Sequence, residues 1–212
     1  MTFSELAEQV NKLIILWAKD SVKLVVAVDG YTGVGKTTLL NNLSSLNSNI
    51  IAVNRDDFLF PREVVKEKLS RASDKSRVFE LEMCDIEKLK DLVNAFRNNE
   101  KYYKVNTYNP ISGKVDIEKT FDLSKNIMVV EGVFMFHPEL PLDRLWDKRI
   151  YLSGDTIKIN EQRIKREKKK WGDEYIEETN SDSYFRQVII ALQRYNLLYQ
   201  PKRSADAVFE IG

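Results

Sequence analysis

The stretch Gly30-Tyr31-Thr32-Gly33-Val34-Gly35-Lys36-Thr37 constrains this chain more than any other. It has the spacing G-x-x-x-x-G-K-[ST], and its flanks supply the context that this spacing needs. Val22–Val28 before it is apolar and β-branched except for Lys23, the pattern of a buried parallel strand. After it, Leu39, Leu40, Leu43 and Leu46 recur at helical steps within Thr37–Leu46. Strand, glycine loop and helix in that order predict backbone N–H groups turned inward around phosphates. The helix N-terminus behind them carries about half a positive charge. Gly30, Thr32, Gly33, Val34, Gly35, Lys36, Thr37 and Thr38 are the expected triphosphate-binding residues. Lys36 is expected to reach the β- and γ-phosphates while touching nothing in the core, and the Thr37 hydroxyl to ligate Mg²⁺. The plain alternative is an ordinary glycine turn between a strand and a helix.

Composition narrows the setting. A length of 212 residues is ordinary for one α/β domain spanning 1–212. The 33 Lys+Arg against 32 Asp+Glu leave a net charge of +1, so no global attraction to nucleic acid or an anionic membrane is expected. A single cysteine, Cys84, excludes an internal disulfide or a cysteine metal cluster. It falls in a helix-like segment and reads as a small buried residue rather than a nucleophile. The N-terminus lacks a basic region followed by an apolar core, and no apolar run approaches the ~20 residues of a bilayer span. The expectation is a cytoplasmic protein with no membrane partner.

Further elements follow from periodicity. Phe3, Leu6, Ala7, Val10, Leu13, Ile14 and Trp17 predict an N-terminal helix over about 3–19. Ile50–Val53 reads as a second strand ending in Asn54-Arg55-Asp56-Asp57, and Arg62–Arg71 as a polar helix. Residues 72–83 show no clear period; Asp85–Arg97 is helical. Alternation at Tyr103, Val105 and Thr107, then turn chemistry at Asn109-Pro110 and Ser112-Gly113, predicts a hairpin excursion over about 102–119. Ile127–Val130 and Ile150–Leu152 are apolar strands, Tyr184–Tyr199 a long helix, and Ala207–Ile211 a last strand. Strands alternating with helices imply an α/β fold with a doubly wound, mostly parallel sheet. Ligands bind such sheets at the carboxyl ends of the strands. That edge gathers the glycine loop, Asp56, Glu131 and Asp155.

Phosphoryl transfer to a hydroxyl needs a carboxylate beside the acceptor, and Asp56, nearest the strand end, is the candidate base. Helix capping is the bland account of Asp56 and Asp57. Glu131 ends an apolar run before Gly132, which leaves room beside a ligand; its carboxylate can hold Mg²⁺ opposite Thr37. Arg163, Lys165, Arg166, Lys168, Lys169 and Lys170 form a basic cluster within a segment, about 155–172, that can act as a lid. Arg163 and Arg166 share a helical face and are the candidates to stabilise transferring charge. A solvated face, paired with Glu161 and Glu167, explains the same run without function. His137, the only histidine, reads as a loop residue with no role.

Five motifs in order resemble the uridine kinase-like P-loop kinases, the group that includes phosphoribulokinase and bacterial pantothenate kinase. Val26-Ala27-Val28-Asp29-Gly30 into Gly33-Val34-Gly35-Lys36-Thr37-Thr38 resembles the opening strand and loop. Asp56-Asp57-Phe58 is similar to the D-x-F motif, whose first Asp is the family's base. Val129-Val130-Glu131-Gly132-Val133 resembles the E-G strand end, and Arg163-Ile164-Lys165-Arg166-Glu167 the lid helix. Ser204-Ala205-Asp206-Ala207-Val208-Phe209 resembles the segment used beside adenine. The resemblance implies a P-loop kinase fold with a helical lid, ATP and Mg²⁺, and a small-molecule phosphate acceptor. Leu59 stands where uridine kinases carry Tyr, and Tyr108-Asn109-Pro110-Ile111-Ser112-Gly113 lacks their histidine, so uridine itself is expected to be a poor acceptor. The rival readings are a regulatory module that hydrolyses ATP slowly and a nucleic-acid-modifying kinase using Lys168–Lys170.

Overall fold

The apolar runs assemble as their patterning requires. The structure, a computed structural model, describes residues 2–142, 144–180 and 183–211, without the side chains of Lys170, Trp171 and Glu174. The Lys170 side chain of the basic cluster is therefore not among those described. The strands are β1 (Leu24–Gly30), β2 (Ile50–Asn54), β3 (Tyr102–Tyr108), β4 (Val115–Asp122), β5 (Ile127–Glu131), β6 (Lys148–Gly154) and β7 (Ala207–Ile211). Five of them form a parallel sheet in the order β2-β5-β1-β6-β7. Every residue of β1 and β5 is buried, so both faces of the sheet centre are covered.

The helices are α1 (Phe3–Ala18), α2 (Lys36–Leu46), α3 (Arg62–Arg71), α4 (Lys75–Arg77), α5 (Ile86–Arg97), α6 (Thr156–Trp171) and α7 (Tyr184–Tyr199). Thr2 and Glu5 close a capping box on α1, whose apolar stripe Leu6, Ala7, Val10 and Ile14 is buried. The α7 helix ends at Gln200, which takes φ +45° just before Pro201. The hairpin β3–β4 stands apart as a two-stranded sheet, with Asn109 Oδ1 accepting from the Ile111 and Ser112 amides in its turn.

Three local expectations need correction. The first strand begins at Leu24, two residues late: Val22 is exposed, and Lys23 Nζ instead donates to the Leu123 and Lys125 carbonyls at 2.8 and 2.7 Å. Residues 72–83 are not shapeless. They hold α4 and a π-turn over Val78–Glu82 that buries Val78, Phe79 and Glu80. A wide turn with a buried carboxylate defeats both the 3.6-residue period and the apolar pattern. Cys84, read as helical, forms a β-bridge with Leu59.

The carboxyl ends of β1, β2, β5 and β6 then bring the glycine loop, Asp56, Glu131 and Asp155 to one edge, as the topology rule requires. Asp155 serves there as the N-cap of α6, accepting from the Ile157 amide at 2.9 Å.

Candidate active site

The loop after β1 is shaped by glycines that other residues could not replace. Gly33 and Gly35 take φ +87° and +101°. A side chain on Gly33 would press on Arg163 and Ile159 of α6, and one on Gly35 would run into the Phe3 ring of α1. The loop is thus packed between the lid helix and the N-terminal helix. Val34 is buried and Thr32 half-buried, while Thr37 and Thr38 at the start of α2 face solvent.

Lys36 differs from expectation. It is buried, and its Nζ donates to the Gly30 and Tyr31 carbonyls at 2.9 and 3.0 Å. Burial pushes its pKa down, and Glu131, Asp29 and Asp56 push it back up. The lysine is therefore a loop strut as well as a cation at the mouth of the site.

Thr37 and Glu131 do come together. The Thr37 hydroxyl donates to Glu131 Oε1 at 2.8 Å. Burial raises the Glu131 pKa, and the Lys36 charge and Thr37 bond oppose the rise. A hydroxyl and a desolvated carboxylate at a helix N-terminus are hard oxygen donors that suit Mg²⁺. The room expected over Gly132 is filled: a side chain there would meet Arg55 Cβ at 2.7 Å and Met135 Sδ at 2.9 Å.

Asp56 and Asp57 lie on a single 3₁₀ turn, Arg55–Phe58, directly after β2. Asn54 does the capping, accepting from the Asp56 amide at 2.8 Å. Asp57 is tied to Lys119 of β4 at 2.6 Å. The Asp56 carboxylate opens to solvent and has no hydrogen-bond partner among the described residues. The surrounding protein raises its pKa; the Arg55 and Lys36 charges counter the rise, so Lys36 is within electrostatic reach of it. The capping account fails for Asp56.

Arg163 and Arg166 part company. Arg163 is buried, pairs with Glu178, and lies 4.8 Å from the Phe185 ring centre. Its Nη1 has no partner among the described residues. Arg166 is largely exposed and pairs with Glu167 at 2.9 Å. Its charge depresses the Lys36 pKa, which puts it within electrostatic reach of the loop. Lys168 pairs with Glu177 at 2.6 Å. The partners come largely from the turn after α6, which sequence spacing within the helix does not reveal.

Four residues escaped sequence reasoning. Asp29, buried at 1% exposure, accepts from the Gly30 amide at 2.7 Å and from Tyr195 at 2.6 Å. Its signal was a carboxylate inside an otherwise apolar strand. Tyr184, about half-exposed, stacks edge-on to Phe79 at 4.7 Å, and its hydroxyl pKa is raised by the protein packed around it and by the nearby Asp56 charge. Lys119 had only its strand alternation to mark it. His137 is in a loop, as read, but fully buried, with Nε2 2.9 Å from Glu80 Oε1 and Nδ1 accepting from the Glu139 amide. Cys84 is inert by environment: burial pushes its thiol up to about 11. Beside the turn, a shallow groove lined by Asp57, Phe58, Leu59, Asn106 and Val115 separates it from the hairpin.

With this geometry in hand, likeness to known proteins can be weighed. Residues 25–210 match the model of the Phosphoribulokinase / Uridine kinase family. Human nicotinamide riboside kinase 1 is 25% identical over 132 residues, covering 61% of this chain and 58% of that protein. Human nicotinamide riboside kinase 2 is 28% identical over 133 residues, covering 62% and 53%. The matches thus span less than two thirds of either relative. A structure described as a possible uridine kinase from Bacillus stearothermophilus superposes with a TM-score of 0.70 at 21% identity, over 99% of this chain and 100% of that one. That likeness is one of fold.

Proposed function

The chain belongs to the Phosphoribulokinase / Uridine kinase family, and from that premise we propose that it transfers the γ-phosphoryl group of ATP to a hydroxyl of a small molecule. One observation carries the reading. Lys36, the Thr37–Glu131 pair and the unpaired Asp56 carboxylate converge at one sheet edge. A module that only binds nucleotide has no use for a free carboxylate facing the phosphate lysine.

The loop amides and Lys36 bind the triphosphate and neutralise charge on the transferring group. Thr37 and Glu131 would hold Mg²⁺, which when bound supplies further charge neutralisation at the phosphates. Asp56 orients the acceptor hydroxyl and takes its proton as the oxygen attacks phosphorus and the bond to the β-phosphate oxygen breaks, leaving ADP. Arg166, and Arg163 through its unpartnered Nη1, complete the cationic cover when α6 closes. The acceptor stands between Asp56, Phe79, Tyr184 and Tyr108, where aromatic rings suit a ring-bearing substrate.

The relatives' names make nicotinamide riboside the first acceptor to try, with uridine and sugar phosphates beside it. The test is ADP release with MgATP across that panel. A strong acceptor-dependent rise is expected. ADP release that no hydroxyl compound increases would leave slow hydrolysis, and the transfer reading would fall. Uridine is expected to be poor. A kcat/KM of ~10⁴ M⁻¹s⁻¹ or more for uridine, ordinary for an enzyme on its own substrate, would refute that specificity.

A further inference from the structure

Asp29 has no part in the transfer chemistry, yet it is one of the most deeply buried charges in the chain. Both of its oxygens are used. Oδ1 accepts from the Gly30 amide at 2.7 Å; Oδ2 accepts from the Tyr195 hydroxyl at 2.6 Å and, more weakly, from the Phe136 amide at 3.4 Å. The Tyr195 oxygen itself accepts from Phe136 N at 3.1 Å, so the hydroxyl hydrogen is directed at the carboxylate. Gly30 opens the phosphate loop, and its carbonyl is one of the two that hold Lys36. A path of hydrogen bonds, joined through the Asp29 carboxylate and the Gly30 backbone, thus runs from a side chain on α7 to the lysine of the loop.

Tyr195 has little freedom to move. Its ring meets Phe134 edge-on at 5.3 Å and stacks on His137 at 5.4 Å. His137 is held by Glu80, which also takes the Nε of the neighbouring Arg194 at 2.8 Å. Arg194 Nη1 reaches Asp74 at 2.8 Å. The register of α7 is therefore fixed by a polar network that includes the π-turn, fully buried at Glu80 and His137 and reaching the surface at Arg194 and Asp74. A buried network with every member paired favours a single geometry over neighbouring ones.

We propose that Tyr195 is a positioning residue of the phosphate loop, acting through Asp29 to fix the Gly30 amide and the carbonyls that orient Lys36. Its purpose rests on the phosphotransfer reading; its geometry does not. Tyr195→Phe removes one oxygen and keeps the ring contacts. Amide hydrogen exchange of the ligand-free protein then reads the loop directly. The segment 29–37 is expected to exchange faster in the variant, with β5 unchanged. Titration calorimetry with MgATP is expected to give a Kd raised roughly ten- to a hundredfold, the usual cost of losing a support behind a ligating group. The acceptor KM should stay put. Tyr199→Phe, one turn along α7 with its hydroxyl on Glu139, is the control and should change neither readout. Should Tyr195→Phe fold poorly, Asp29→Asn leaves the tyrosine in place and should loosen the same segment. A Tyr195→Phe protein with lower thermal stability but wild-type loop exchange and wild-type MgATP affinity would overturn the proposal. Acceptor-independent ADP release in the wild type, with the loop effects intact, would instead sink the phosphotransfer reading and leave this one standing.

Discussion

The two halves of the site are built differently. On the phosphate side, polar groups are satisfied within the protein: Lys36 by two carbonyls, Thr37 by Glu131, Asp29 by an amide and a tyrosine. On the acceptor and lid side several are not. Among the described residues, the buried side-chain atoms without a partner are Nε and Nη2 of Arg55, Nη1 of Arg163 and the Tyr175 hydroxyl. Arg55 adjoins Asp56, and the other two belong to the lid and the turn after it. Buried polar atoms are normally paired, so their clustering on one side marks it as the half completed by closure or ligand. On the proposed reading, the phosphate half is preorganised and the acceptor half is assembled in use.

The sharpest way to break this contrast is Lys36→Ala. It removes the cation expected at the γ-phosphate and two struts of the loop together. Transfer should be almost abolished, and thermal stability should fall by up to roughly 1–3 kcal/mol as the buried Gly30 carbonyl loses its lysine donor, the Tyr31 carbonyl keeping the Val34 amide at 3.2 Å. Coupled turnover assay and calorimetry would check both. Normal turnover would remove the loop assignment. Asp56→Asn comes next, with kcat expected to fall by roughly 10²–10⁴ and MgATP affinity barely moved. Asp57→Asn should cost much less in kcat, because that carboxylate is already spent on Lys119. A larger effect from Asp57 would reverse the assignment.

The same contrast explains what was legible in the sequence. The phosphate half is local: strand, loop and helix are contiguous, so spacing singled out Gly30–Thr38 and the apolar end of β5 singled out Glu131 as candidates, and the fold brings them to one sheet edge. Asp56 stood out as a candidate because it follows a strand directly, and the structure places it on the turn after β2. The hairpin and α7 were also found, from alternation and helical period. What could not be read was long-range. Asp29 meets Tyr195 166 positions away, Arg194 meets Glu80 114 away and Asp57 meets Lys119 62 away. No periodicity encodes such pairings. The burial of Lys36 was missed for a related reason: a motif gives a residue's reach, and only packing tells what it rests against.

The pH profile separates the halves without mutation. In the proposed reaction Asp56 works ionised, and the protein around it raises its pKa. Activity should therefore fall as pH drops through a value above the ordinary ~3.9 of an aspartate. Glu131 and Asp29 are raised as well. Such groups bind protons more tightly in the folded chain, so their protonation favours folding as pH falls towards the ordinary carboxylate range. The acid loss of activity should accordingly occur without any loss of thermal stability due to these groups. In Asp56→Asn the residual activity should lose that limb. A limb that persists unchanged belongs to Glu131 or to the pair together.

The smallest effect is expected at the seam between the turn and the hairpin. Lys119 Nζ holds Asp57 at 2.6 Å and also sits 4.8 Å from the Phe121 ring centre. Both charged side chains are partly exposed, at 38% and 22%, so the pair is screened and worth only about 0.2–1 kcal/mol. Lys119→Met keeps most of the apolar stem and deletes the charge. Stability should fall within that small range. The functional consequence should show on the acceptor, since the pair docks the hairpin on the turn that carries Asp56. The acceptor KM should rise a few-fold, with MgATP affinity unchanged. Were MgATP affinity to weaken instead, the two halves would be coupled through this seam, and the division between a finished phosphate side and a loosely assembled acceptor side would have to be redrawn.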